Sequence, residues 1–124
     1  MKETGRTGND RNTTIKDLRT RIKAFLEKRD WEKYHAPRNV SESICIEAAE
    51  LLQIFQWSGS DDLTWSSSPE RIERITEELA DVIIYCLSMA NTLNIDVANA
   101  VLAKLEANER KYPVDIWKGK AYLK

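Results

Sequence analysis

Apolar residues recur along this chain with a helical period in four stretches, separated by polar or proline-marked breaks. Residues 1–13 carry two glycines and no periodicity, and they read as a disordered leader. Thr14 is suited to cap a helix start, and Ile15, Leu18, Ile22, Phe25 and Leu26 then share one stripe, predicting a first helix to about Lys33. Pro37 interrupts that pattern and biases its predecessor toward extended backbone, so residues 35–39 are predicted to bend. A second helix is expected from Asn39 or Ser41 to about Trp57, along Ile44, Ala48, Leu51 and Phe55. Residues 58–68 (SGSDDLTWSSS) read as a polar loop. Ser68 as cap and Pro69 in the first turn open a third helix through Ile72, Ile75, Leu79, Val82, Ile83, Cys86 and Ala90 to about Leu93. Asn94 breaks it, a fourth helix is expected from Asp96 to Lys111, and Pro113 leads into a tail over 114–124. Four helices with short connections predict an all-α four-helix bundle over residues 14–113.

The polar positions inside those stripes change the picture. At about 100° per residue, Glu47 projects between Leu51 and Ile54, inside the apolar arc of the second helix, and Glu50 lies at its edge. On the third helix Glu78, Asp81 and Tyr85 form a stripe beside the apolar one. Residues three apart face the same way, so each helix offers two adjacent carboxylates and no basic residue in its core stretch. Ionised carboxylates at a buried face are costly unless compensated. Four converging acids therefore point to a divalent cation, and an all-oxygen donor set suits Mg²⁺, or Mn²⁺, rather than zinc. A single acidic pair at this spacing arises readily by chance, whereas two on adjacent apolar helices do not. Glu77 faces away, and Glu70 and Glu73 sit near a helix N-terminus, where the macrodipole favours acids.

Composition narrows the class. A chain of 124 residues with net charge −1 is one domain without the basic surplus of a nucleic-acid polymer binder. The N-terminus has no hydrophobic signal region, and residues 79–90, the most apolar stretch, contain Asp81 and are too short to span a bilayer; a cytoplasmic, non-membrane location is the expectation. Cys45 and Cys86 read as small buried hydrophobes rather than a disulfide. His35 ends the one Glu-x-x-His motif, from Glu32, whereas a di-iron bundle needs two. Trp31, Trp57 and Trp65 lie in or beside connections, where they either seal the bundle ends or stack a base; the residues alone leave both open. Lys104, Asn108 and Tyr112 share one face of the fourth helix. That stripe suits a phosphate clamp beside a metal, although a solvated face has the same composition. No Gly-rich phosphate loop is present in the sequence.

Taken together, EAAELLQIFQW and EELADVIIY resemble the two acidic helices of the MazG-like all-α nucleotide pyrophosphohydrolases. RDWEKYHAPRN, the FQW closing the first acidic helix, and KLEANERKYP resemble the dCTP pyrophosphatase branch of that family, and the likeness spans residues 22–113. The resemblance implies hydrolysis of a nucleoside triphosphate, dCTP or a related or modified dNTP, to monophosphate and pyrophosphate. It implies Mg²⁺ on Glu47, Glu50, Glu78 and Asp81, with Glu47 or Glu50 acting on the attacking water. It implies phosphate and sugar contacts from Lys104, Asn108 and Tyr112, and base contacts from Trp31, His35 and Trp57, with Arg38, Asn39 and Tyr85 in less defined roles. Homodimers or homotetramers with sites near subunit interfaces are also implied, and a thin bundle gains buried surface by pairing. Residues 1–13 match nothing in the pattern, and the 58–68 loop is of a length and composition that vary among such proteins. A non-catalytic nucleotide-binding or helical interaction module is the alternative, needing the bundle and the tryptophans but not four acids.

Overall fold

The computed structural model describes residues 8–57 and 68–120, all helical or in turns, with no strand among the described residues. The helices are α1 (Ile15–Lys28), α2 (Pro37–Gln53), α3 (Pro69–Leu93), α4 (Val97–Lys111) and α5 (Val114–Trp117), with a 3₁₀ turn at Glu32–Tyr34. The chain divides into two units, residues 1–94 and 95–124.

Local chemistry explains where each helix starts. Of the stretch expected to be a disordered leader, residues 1–7 lie outside the described residues. Residues 8–13 form a turn in which Asn9 Oδ1 accepts from Arg11 N at 2.9 Å and the Thr13 N–H reaches Asn9 O at 3.0 Å. Thr14 and Asp17 then close a reciprocal capping box, at 3.0 Å into Thr14 Oγ1 and 2.9 Å into Asp17 Oδ2. Those hydrogen bonds from Thr14 hold the Asp17 carboxyl below its ordinary range.

Helix α1 stops at Lys28, short of the expected Lys33, for a specific reason. Asp30 adopts a left-handed φ of 53°, its N–H bonds Glu27 O at 3.1 Å, and the Trp31 N–H bonds Leu26 O at 3.0 Å. This is a Schellman closure with aspartate in the place glycine usually takes. It folds Trp31 back onto Phe25, edge to face with ring centroids 5.8 Å apart. The predicted bend over 35–39 is also corrected: α2 begins at Pro37, because proline at the first helical position loses no intrahelical hydrogen bond. At its other end α2 stops at Gln53 rather than Trp57, relaxing into i→i+3 turns at Phe55 and Gln56. Helices α3 and α4 run as predicted, capped by Ser68 and Asp96, and Asn94 ends α3 in the left-handed region.

In the first unit α1 and α2 both pack on α3. His35, just ahead of α2, meets Ser88 and Thr92 of α3, whereas Glu47 and Glu50 meet Glu78, so α2 and α3 run antiparallel. The core comprises Leu26, Val40, Leu87 and Ala90, with Ser88 buried among them. Arg19 and Asn91 tie α1 to α3 twice: Arg19 Nε donates to Asn91 Oδ1 at 2.8 Å, and Asn91 Nδ2 donates to Arg19 O at 3.1 Å. The expected apolar stripes are only partly covered, since Leu18, Phe25, Leu79 and Ile83 all remain more than 40% exposed. Cys45 and Cys86, expected to be buried, are exposed free thiols. Apolar neighbours in sequence do not settle which side of a helix meets another helix.

The second unit holds α4 and α5. Asp96 Oδ1 accepts from the Asn99 N–H at 2.9 Å to start α4. The stretch expected to be a tail opens with the one-turn helix α5, whose Trp117 packs edge to face on Tyr112 at 5.0 Å. Among the described residues no helix is long and apolar enough to cross a membrane.

Candidate metal centre and adjoining cavity

Helix α2 carries Glu47 and Glu50, and the antiparallel α3 carries Glu78 and Asp81. Glu47, Glu50 and Glu78 each bring one carboxylate oxygen to within 4.8 Å of the others. Glu47 Oε2 and Glu78 Oε2 are buried and have no hydrogen-bond partner. Burial, then the hydrogen bond and charge of Glu50 and the charge of Asp81, push the Glu47 carboxyl up to about 7. Burial, followed by Glu50, also raises Glu78. Like charges held this close disfavour one another's ionisation. Asp81 is outside this triad: it is exposed, its charge bears on both Glu47 and Glu78, and it lines a cavity.

These residues fit a hard divalent cation. Two orphaned buried carboxylate oxygens form a costly arrangement in a folded protein, and a cation relieves both the missing partners and the mutual repulsion. The donors are all oxygen, the set that magnesium, calcium and manganese favour.

The cavity, about 410 Å³, lies within the first unit. Its walls are mainly apolar: Ile22, Phe25 and Leu26 of α1, Trp31 of the connection, and Ile84 of α3. Its polar groups are Arg21, His35, Asp81 and Tyr85. The His35 and Tyr85 rings stack, with centroids 6.0 Å apart and planes 19° apart. Such a chamber, apolar with a few convergent polar groups and one acid, Asp81, on its wall, has the character of a small-molecule site.

The structure thus places Trp31 and His35, Tyr85, and the acid Asp81 on the wall of one cavity. Trp57 is 92% exposed and does not line this cavity, and Trp65 lies outside the described residues. Arg38 pairs with Glu42 at 3.5 Å, and Asn39 Nδ2 donates to Tyr34 O at 3.3 Å; neither lines the cavity. Lys104, Asn108 and Tyr112 fall at four-residue spacing on α4 and its end, in the second unit, where the Tyr112 N–H bonds Asn108 O at 2.8 Å. Sequence reasoning missed Arg21 and Ser88. The signal was available: Arg21 precedes Phe25 by one turn, and Ser88 continues the Asp81–Tyr85 face by helical spacing.

A sequence model of the MazG-like family matches residues 42–121. The chain is 36% identical over 111 residues to dCTP pyrophosphatase 1 of Bos taurus, covering 87% of this chain and 64% of that protein. It is also 36% identical over 106 residues to dCTP pyrophosphatase 1 of Homo sapiens, covering 83% of this chain and 61% of that one. The chain therefore spans less than two thirds of the length of these relatives. Among solved structures, a pyrophosphatase from Archaeoglobus fulgidus superposes with a TM-score of 0.74 at 43% identity, over 80% of this chain and 92% of that one. With a family match over residues 42–121, most of its length, the chain belongs to the MazG-like family.

Proposed function

We propose that this protein hydrolyses a nucleoside triphosphate, dCTP or a related or modified dNTP, to the monophosphate and pyrophosphate. The observation that carries the reading is the pair of buried, unpartnered carboxylate oxygens on Glu47 and Glu78, together with an apolar cavity sized for a base whose wall includes Asp81, one helical turn from Glu78. The names of its relatives, dCTP pyrophosphatase 1 and pyrophosphatase, support the same chemistry.

In this reading Glu47, Glu50 and Glu78, with Asp81 from the cavity side, hold Mg²⁺, for which Mn²⁺ can substitute. When bound, the ion supplies Lewis-acid polarisation of phosphate oxygens and lowers the pKa of a bound water. Glu47 or Glu50 orients the attacking water and accepts its proton. The water oxygen bonds to the α-phosphorus, the bond from that phosphorus to the α–β bridging oxygen breaks, and pyrophosphate leaves with the bridging oxygen. Lys104, Asn108 and Tyr112 bind phosphate and sugar. Trp31 and His35 hold the base, with Tyr85 behind His35, and Trp57 joins them in the assembled protein. Arg38 and Asn39 act at the margin of that site.

The part-covered stripes of α1 and α3 support a homodimer or homotetramer, in which a second copy covers Leu79 and Ile83. A MazG-like domain over 14–113 in a cytoplasmic protein completes the proposal.

Glu78→Gln and Asp81→Asn test it. Each should abolish pyrophosphate release from dCTP in Mg²⁺ while the helical circular dichroism is retained. Full turnover in either variant would remove the site. Nucleotide binding without Mg²⁺ and without turnover in the wild type would instead establish the non-catalytic binding module.

A further inference from the structure

Ser88 is the one buried polar residue among the described residues, 1% exposed, and sits in an otherwise apolar turn of α3. Its Oγ lies 2.9 Å from Nδ1 of His35, which is fifty-three residues earlier in the chain and lines the cavity. Two further contacts fix the same residue: Tyr85 stacks on the imidazole, and Thr92 Oγ1 donates to the His35 carbonyl at 3.3 Å. Tyr85, Ser88 and Thr92 share one face of α3 by helical spacing, so a single helix grips His35 by its ring face, its Nδ1 and its backbone.

From this we infer that Ser88 is a positioning residue for base recognition: its hydroxyl donates to Nδ1 and so locks His35 as the Nε2–H tautomer. A hydroxyl this deeply buried must place its proton on a partner or forfeit a hydrogen bond. Among the described residues Nδ1 is the partner it has. A neutral imidazole carries one ring proton. With Nδ1 accepting from Ser88, that proton resides on Nε2, the only polar ring atom left for a ligand. The cavity is then given a fixed donor, matched to a base edge that presents a ring nitrogen or carbonyl acceptor. Ser88 never touches the base; it acts through His35. This inference rests on the reading of the cavity as the base site.

The chain contains one histidine, so a long-range proton–nitrogen NMR spectrum of the nitrogen-15-labelled protein reports His35 alone. At mildly alkaline pH the wild type should show a single tautomer protonated on Nε2, and Ser88→Ala should show a mixture. A wild type protonated on Nδ1, or an unchanged spectrum in Ser88→Ala, would overturn the inference.

Steady-state kinetics with Mg²⁺ and dCTP form the second arm. Ser88→Ala should raise KM roughly three- to tenfold, the loss of one ordinary hydrogen bond, with kcat little changed. His35→Phe keeps a ring against Tyr85 but removes both nitrogens. Adding Ser88→Ala to it should have no further effect, because the residue through which Ser88 acts is gone. Additive losses would overturn the inference. A His35→Phe variant with unaltered KM for every triphosphate would refute the base-site reading instead, and the spectrum would still decide Ser88.

Discussion

Raising the pH should destabilise this protein when it is free of metal, and Glu47 is the main cause. Its carboxyl is pushed from an ordinary 4.5 to about 7 in the fold, chiefly by burial and then by Glu50. Between those values the folded chain binds more protons than the unfolded one, so stability is complete below about 4.5 and is lost as pH rises through about 7. The full span corresponds to roughly 3.5 kcal/mol at about 1.4 kcal/mol per pH unit. Glu47 is only half-buried, and solvent screening reduces this to about 1–2 kcal/mol. In a domain of this size that is roughly 4–10 °C in Tm. Thermal unfolding followed by circular dichroism in chelator, at intervals across the window, measures it. Glu47→Gln is neutral at every pH, so it should flatten the slope and be the more stable protein at the alkaline end. Saturating Mg²⁺ should reverse the wild-type trend, because ion binding requires the deprotonated acids, and it should do much less for Glu47→Gln. Parallel curves for wild type and Glu47→Gln in chelator would refute the reasoning.

Two further substitutions probe the frame that carries the site. Asp30→Gly removes a side chain from a left-handed position and should stabilise the chain by about 0.5–1 kcal/mol in urea unfolding, since the Lys33 pair it sacrifices is exposed and worth little. Asn91→Ala breaks both links between α1 and α3 and should cost about 1–3 kcal/mol by the same assay.

Much of this structure is legible in the sequence, and the failures have definite physical causes. Helices α3 and α4 are readable because Ser68, Asp96 and Asn94 are side chains whose local hydrogen bonds or backbone preferences punctuate helices whatever the tertiary context. The end of α1 is not, because its stop signal is a left-handed aspartate, and aspartate is equally at home outside that region. Pro37 carries two meanings, breaker and first helical residue, and only packing decides between them. The acidic centre is legible because ionisable groups inside an apolar arc need a reason to be there. Three of the four acids converge as that argument requires, while Asp81 lines the cavity, a distinction that periodicity does not resolve. Ser88 continues the Asp81–Tyr85 face by helical spacing, but a serine there gains a role only once His35 is known to lie opposite it. The same limit misled the reading of Cys45 and Cys86.

The antiparallel register of α2 and α3 also constrains how such a chain can vary. Val40 lies in the packed core and Glu47 in the acidic centre seven residues on; Ser88 and Asp81 are separated by the same interval on the opposing helix. Inserting or deleting a single residue within either interval turns everything beyond it by about 100°. That rotation swings carboxylates out of the centre while leaving the core end in place. The two intervals are therefore locked to each other in length, and a change in one of them must be matched by a change in the other.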